Sequence, residues 1–543
     1  MRKFKNYIIL VCFFAVLGLL SQLSGCASIQ HPTGGPRDSV PPKILKEQPK
    51  NFSTNFRSDE INIEFDEYFK LANEYKEISV SPAMEKSPIF KVKKKVLNIQ
   101  FQEPLQDSTT YTINFGNGLT DYNEGNILKN YMYVFSTGTE IDSLSISGTV
   151  TNSLTKEPVL DATVLLFQAS QDTLFGKKRA SLFTSTDSSG NFSLKYLREN
   201  VYTIYALKEE GGDKIYNTAK ELIGFLDKPI TLTKDTAGIK LEIHQEEPVN
   251  FRVVDRKIEK DGRIAFAFNK QLTKPSIQIL YPSELNATKI TEFGEDADSA
   301  YVWTQSLDFD SINVAFQDDG KNLDTLTIRR NKRDTYNKVL NITDNIPSQL
   351  IKPGTDLTLT LSAPVGAIDG KKFNLLQDSL PVAGLRVSRD SLSTRKIHLK
   401  FPWRDEKKYI INIAEAAFTG VFGGTNKAYT REFSKDVEEN YGAISAIIAV
   451  PDTSKNYIVQ VLTEQDKVVH QLAINKNTTI NLPLMALGTY YLRVIYDDNK
   501  NGKWDTGVVS TRKQPEKVWN FEEELALKAN WELEKKITIP KAP

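Results

Sequence analysis

The 543-residue chain has only two cysteines, Cys12 and Cys26. Both lie near its start, so neither a disulfide framework nor a cysteine-rich zinc site holds the body of the chain together. Histidine is scarce too: His31 falls in a spacer, His244 in or beside a linker, and His398 and His470 in strands of different units, which argues against two of them converging on one ion. The sequence has no H-E-x-x-H zinc signature, no G-x-S-x-G nucleophile elbow and no glycine-rich phosphate loop. Net charge is nearly absent. Lys and Arg number 69 against 68 Asp and Glu, and both signs are scattered, which argues against nucleic acid as a partner. That many acids always offer pairs suited to glycoside hydrolysis, yet no larger segment stands out as a catalytic domain. The expectation is a protein that is not an enzyme.

Long apolar runs are also missing, with one exception. "YIILVCFFAVLGLL" (7–20) follows Arg2, Lys3 and Lys5 and is too short for a stable membrane span. It reads as the apolar part of an export signal. Behind it, Leu23-Ser24-Gly25-Cys26 resembles the lipobox of bacterial lipoproteins: an aliphatic residue, two small ones and a cysteine. That resemblance implies cleavage before Cys26 and lipid attachment on Cys26; the alternative is an ordinary secretory signal with an incidental cysteine. On the first reading the mature chain keeps no free thiol. Each acyl methylene buried in a bilayer adds about 0.8 kcal/mol, so several chains anchor it stably. "HPTGGPRDSVPPK" (31–43) cannot hold a helix and reads as an extended spacer.

What the sequence has in abundance is strand. Short alternating runs rich in Val, Ile, Thr, Tyr and Phe recur between Gly, Asp, Asn and Pro, and even "PEKVWNFEEELALKANWELEKK" (515–536) is read as strands. "INIEFDEYF" (61–69), "YTINFGNGLTDYNEGN" (111–126) and "YVFSTG" (133–138) resemble bacterial Ig-like domains of the surface-layer type. "LTLTLSAPV" (357–365), "IHLKF" (397–401), "YIINI" (409–413) and "REFS" (431–434) repeat that order and spacing. "ISGTV" (146–150), "TDSSGNF" (186–192) and "YTIYA" (202–206) resemble the prealbumin-like module called carboxypeptidase regulatory-like or Cna-B-like, here without zinc ligands. The expected fold is therefore all-β: tandem Ig-like and prealbumin-like β-sandwiches behind a lipoprotein signal peptide. The expected divisions are a signal peptide (1–25), a spacer (26–43), an Ig-like domain (44–140) and a regulatory-like sandwich (143–212). A diverged Ig-like sandwich (245–345), an Ig-like domain (346–438) and a C-terminal regulatory-like sandwich (439–543) follow.

The sharpest local motif is "DDNKNGKWD" (497–505). Asp497, Asn499, Asn501 and Asp505 stand at positions 1, 3, 5 and 9 of a calcium-loop pattern, with Gly502 at 6. Val508 occupies position 12, where an EF-hand has its bidentate Glu, so this is either a weaker calcium turn or a plain connecting turn. No other cofactor is indicated. "EFGEDADS" (292–299) reads as a solvated acidic loop. "KVKKKV" (91–96) reads as a lysine-guarded strand edge, with contact to anionic head groups as a lesser alternative. Asp38-Ser39-Val40, Asp142-Ser143-Leu144, Asp172-Thr173-Leu174, Asp324-Thr325-Leu326 and Asp390-Ser391-Leu392 look like O-glycosylation acceptors of Bacteroidota.

Taken together, the lipobox, spacer, Ig-like start, regulatory-like module and terminal "YDDNKNGKWDTG" resemble a family of Bacteroidota outer-membrane lipoproteins. That resemblance implies attachment to the outer membrane through lipidated Cys26, at the cell surface or on the periplasmic face. It also implies a scaffold that binds an outer-membrane barrel or another envelope protein, as an accessory subunit of outer-membrane protein assembly or surface-lipoprotein export. The alternative is a surface adhesin or a glycan-binding lipoprotein.

Overall fold

The computed structural model describes residues 38–82, 84–331 and 333–542. The expected signal peptide, Cys26 and most of the spacer lie outside them. Strand accounts for 49% of the chain and helix for 5%, and the protein is all-β. Among the described residues no helix is long and apolar enough to cross a membrane. The chain forms two compact units, Met1–Asp142 and Ser143–Pro543.

In the first unit, strands Ile44–Gln48, Glu60–Phe65, Val96–Gln100 and Ile89–Lys93 form one antiparallel sheet in that order. Alternation sets its inner face: Ile61, Ile63 and Phe65 are fully buried, whereas Glu64 is exposed. Ile61 stands opposite Ile99, and Ile63 opposite Leu97, so both strands turn apolar residues inward. Strands Ser79–Ser81, Thr110–Asn114 and Met132–Ser136 form the facing sheet. Between the sheets the Tyr111 and Phe135 rings stack at 5.3 Å. A two-stranded ribbon, Phe69–Leu71 with Leu119–Asp121, closes one side.

The second unit starts with an eight-stranded array. Its first strand, Leu144–Asn152, runs parallel to its last, Thr236–Gln245. The pairing is so close at Gly148 that a Cβ there would lie 1.9 Å from the Ile239 carbonyl oxygen, which only glycine tolerates. Strands Leu222–Phe225, Ile230–Leu232 and Thr236–Gln245 belong to this array, so the sandwich runs to Gln245 rather than ending at residue 212. Those strands are separated by Asp-Lys-Pro and Thr-Lys-Asp turns, and their polar residues disguised them as linker.

Two further sandwiches follow. One pairs Val253–Ile258, Ile264–Phe268, Ser299–Trp303 and Ile290–Phe293 against Pro275–Tyr281, Ser311–Asp318 and Lys321–Arg329. The other opens with Ile342–Asp344, Leu357–Leu361, Lys396–Lys400 and Arg386–Arg389. In both, as in the first unit, the leading sheet places its first, second, fourth and third strands side by side. Glu292 is not a solvated loop residue. It sits in strand Ile290–Phe293 and accepts from Arg395 Nε at 3.0 Å and Nη2 at 2.6 Å, joining the two sandwiches across 103 residues. The last sandwich repeats the parallel closure: Gly442–Ala449 pairs in parallel with Glu532–Thr538.

Candidate functional site

The 497–505 motif lies where strand Gly488–Asp497 leaves its sheet and before strand Val518–Asn520 returns to it. Asp497 is buried, and its two carboxylate oxygens accept the N–H groups of Asn501 and Gly502, each at 3.0 Å. Asn501 Oδ1 accepts Lys503 N–H at 2.7 Å. The side-chain amides of Asn499 and Asn501 both donate to Asp505. Glu516, which no local pattern marks, completes the loop: its carboxylate accepts the N–H groups of Asp498 at 2.9 Å and Asp505 at 3.0 Å. Burial pushes the Glu516 carboxyl above its ordinary value, and the charges of Asp505 and Asp497 add to the rise against those two hydrogen bonds.

The structure thus brings Asp497, Asn499, Asn501 and Asp505 into one turn. Their oxygens accept N–H donors, and Asp505 takes the side-chain amides of Asn499 and Asn501. Among the described residues no three His, Cys, Asp or Glu side chains are arranged to hold a metal ion. The donor set forms a hydrogen-bonded turn.

The remainder of the loop reaches across the second unit to its first sandwich. Val509 packs with Leu165, Phe167, Phe183, Tyr205, Ile223 and Phe225, and its N–H donates to Glu246 Oε1 at 2.6 Å. The Glu246 carboxylate also accepts the Tyr216 hydroxyl. Arg512 donates to the Leu226 carbonyl at 3.0 Å, to Asp172 at 2.7 Å and to the Tyr205 hydroxyl at 2.6 Å, and its guanidinium lies 5.3 Å from the Tyr205 ring. Burial alone would raise the Asp172 carboxyl. Hydrogen bonds from Thr203, Tyr205 and Arg512, with the Arg512 charge, outweigh it and hold the group below the usual carboxylate range. Gln514 reaches the Phe225 carbonyl at 2.9 Å, and Asn520 reaches the carbonyls of Leu154 and Thr155 at 2.9 and 3.0 Å. Ile458, Ile495 and Val518, with Leu154 and Trp504, form an apolar cluster beside them.

His244 occupies the middle of this seam. It lies in strand Thr236–Gln245, not in a linker, and is 2% exposed. Phe225 packs edge-on against it at 5.8 Å, and Gly507 comes so close that a Cβ would lie 2.5 Å from Nε2. Neither ring nitrogen meets a partner in hydrogen-bonding geometry; the backbones of Glu242 and Gly507 are the polar groups nearest it. Burial lowers its pKa below the ordinary histidine value.

One other constellation has the look of chemistry. His398 lies 3.0 Å from Thr358 Oγ1 through Nδ1 and 2.9 Å from Asp390 through Nε2. The His398 hydrogen bond, with two from backbone N–H groups, holds Asp390 down to about 2. Thr358 and Ser388 stand directly opposite His398 on the flanking strands. The group is a polar ladder across a sheet face, which ties strands together. In the first unit an open groove of about 460 Å³ is lined by Phe56, Arg57, Asp59, Phe101 and Glu103. Two of its charged groups are engaged: Arg57 holds the carbonyls of Phe56 and Thr137, and Glu103 takes the N–H groups of Glu85 and Lys86.

With this geometry in place, residues 38–137 match the bacterial Ig-like domain family. That stretch covers the sandwich of the first unit. No curated protein matches the chain. Among solved structures, the chain is similar to BcpA, the major pilin subunit of Bacillus cereus, at 12% identity and a TM-score of 0.14, over 74% of this chain and 100% of that one. It is similar to the S-layer protein rSbsC(31-844) at 12% identity and 0.15, over 90% and 67%. It is also similar to a Bacteroides ovatus glucan-utilization surface protein, SGBP-B, solved with a mixed-linkage heptasaccharide, at 9% identity and 0.19, over 60% and 83%. At these TM-scores the likenesses carry no weight for activity or ligand.

Proposed function

We propose that this chain is a non-enzymatic lipoprotein of the bacterial outer membrane, tethered through Cys26, that serves as a scaffold for protein partners. Accessory work in outer-membrane protein assembly or surface-lipoprotein export is the role that suits it best. The observation behind this reading is the seam. The first and last sandwiches of the second unit are locked by Arg512, Gln514, Asn520 and Glu246 across some three hundred residues of sequence. A locked multi-sandwich body presents fixed loops and strand edges, which suits docking of a preformed partner. Its polar side chains are used to join strands and modules.

The test is purification of the native lipidated protein from its envelope in mild detergent after crosslinking. An outer-membrane barrel protein in stoichiometric amount is the expected companion. A chain that emerges alone would sink the scaffold reading in favour of a surface adhesin or glycan-binding lipoprotein.

Calcium has no part in this reading. Because Asp497 and Glu516 already bind N–H groups and Asp505 binds amides, millimolar calcium or a chelator is expected to leave the melting temperature unchanged to within about 1 °C. A rise of several degrees with calcium, abolished in Asp505→Asn, would show that the amides of Asn499 and Asn501 turn over to take the ion.

A further inference from the structure

One end of the first sandwich gathers four features. The described chain begins there: Asn126 Nδ2 holds the carbonyls of Asp38 and Val40, and Lys43 N–H donates to Asp66. The ribbon of Phe69–Leu71 and Leu119–Asp121 continues by one more pair, because Tyr122 N–H donates to the Tyr68 carbonyl at 3.0 Å. Directly opposite residues project to the same side. Tyr68 and Tyr122 are 57% and 63% exposed, two large rings side by side in water. A lysine attends each: Lys95 Nζ lies 5.8 Å from the Tyr68 ring and Lys70 Nζ 6.0 Å from the Tyr122 ring. The hairpin tip Lys93-Lys94-Lys95 arrives at the same end, since Lys95 donates to the Asp66 carbonyl at 2.6 Å.

Rings with a polar tip and lysines with a long apolar stem are the side chains that settle at a bilayer interface. We propose that this end of the first sandwich, through Tyr68, Tyr122, Lys70, Lys93, Lys94 and Lys95, seats on a lipid surface and takes phosphate-bearing head groups. The proposal rests on the reading of Cys26 as the anchor. Eleven residues separate Cys26 from Asp38. That length of chain spans at most about 40 Å, so the anchor keeps the end at which the chain enters within reach of the bilayer. Acids share this end, Glu67 lying among Asp38, Asp66, Asp121 and Glu124 with its carboxyl raised by burial and by their charges, and three of them spend oxygens on backbone N–H groups. Asp38 accepts the Val40 N–H, Asp66 that of Lys43, and Asp121 those of Glu124, Gly125 and Asn126. A soluble glycan would also stack on exposed rings, but it would give the lysines nothing to neutralise and gains nothing from the chain entering here.

The experiment uses the mature chain carrying Cys26→Ser, which removes lipid, with vesicles of phosphatidylethanolamine and phosphatidylglycerol at low ionic strength. Binding is expected, and it should weaken with salt. Tyr68→Ser with Tyr122→Ser is expected to lower the partition about tenfold, and separately Lys93→Gln with Lys94→Gln about thirtyfold, since each lysine near an anionic surface contributes about 1 kcal/mol. Exposed substitutions of this kind leave the core intact. As a second readout, Tyr122→Cys supplies the only thiol of that chain, and an environment-sensitive fluorophore on it should shift to the blue with vesicles. The same label at Leu392→Cys, 95% exposed in the second unit, should not. No vesicle binding, binding indifferent to these residues, or capture of a soluble glycan by the same tyrosines would overturn the proposal. Mass spectrometry of Cys26 in the native protein tests the anchor separately: a bare cysteine there sinks the tether and leaves the vesicle result standing on its own.

Discussion

Arg512→Ala is expected to split the thermal unfolding of the second unit into two transitions. In the native chain Arg512 is the one side chain that joins the last sandwich to three groups of the first: the Leu226 carbonyl, Asp172 and the Tyr205 hydroxyl. Removing it deletes those hydrogen bonds and leaves Asp172 facing Tyr205 and Thr203 without its counter-charge. Side-chain exposures of 22% for Arg512 and 31% for Asp172 place the pair between a surface and a buried ion pair. The loss is then about 2–3 kcal/mol, less than for a fully buried pair. Most of that loss falls on the seam, because each sandwich keeps its own core. The last sandwich should therefore melt earlier, by on the order of 5 °C in calorimetry. Trypsin should cut faster at Lys513, whose backbone N–H and carbonyl are paired with Val508 in the native loop. Asp172→Asn alone should cost less, since the amide still accepts from the arginine, and the double variant should cost less than the sum of the singles. A single transition at the native temperature would mean that the apolar contacts of Val509 and Val518 hold the seam without the arginine.

The sandwiches were legible in the sequence and the seam was not, for a physical reason. Alternation such as Ile61-Asn62-Ile63-Glu64-Phe65 reports directly which face a strand buries, and it needs only neighbours in sequence to be read. The turn at Asp497–Asp505 was legible for the same reason, because Asx geometry is local. Its partner Glu516 and the grip of Arg512 on Asp172 were not. Nothing in "TRKQPE" distinguishes an arginine that will meet a carboxylate 340 residues away from one left in water. Glu292 was misread on the same account: an acid in "EFGEDADS" looks solvated until Arg395 is placed beside it. His244 shows the limit most clearly. One histidine among Glu242, Gln245 and Glu246 reads as a polar linker, yet it is inside the protein because another module covers it.

That cover makes the seam sensitive to acid. His244 is held neutral chiefly by burial, so its pKa in the closed seam lies below the ordinary value of 6.5. A base with a depressed pKa binds fewer protons folded than unfolded. Its contribution is complete above pH 6.5 and is lost as pH falls from there through the lowered value, at up to about 1.4 kcal/mol per pH unit. The charges facing it moderate the loss without cancelling it. Glu242 is engaged by Lys156 at 2.9 Å, and Glu246 by Tyr216 and the Val509 N–H. Gly507 offers only backbone. Asp172, with its carboxyl held low, loses its contribution only below its ordinary value of 3.8 and is silent in this window. Glu516 acts with the opposite sign: its raised pKa means that the folded loop gains as pH falls toward 4.5. The expected result is that the unfolding transition of the second unit drops between pH 7 and pH 5 in the native chain. In His244→Leu the drop should vanish or reverse, leaving Glu516 to set the slope. Equal slopes in the two proteins would show that protonation is taken up elsewhere. In Arg512→Ala, whose seam is already loosened, the histidine is hydrated before it is titrated, so the slope should flatten there as well; only a histidine that reports on this one contact behaves that way in both backgrounds.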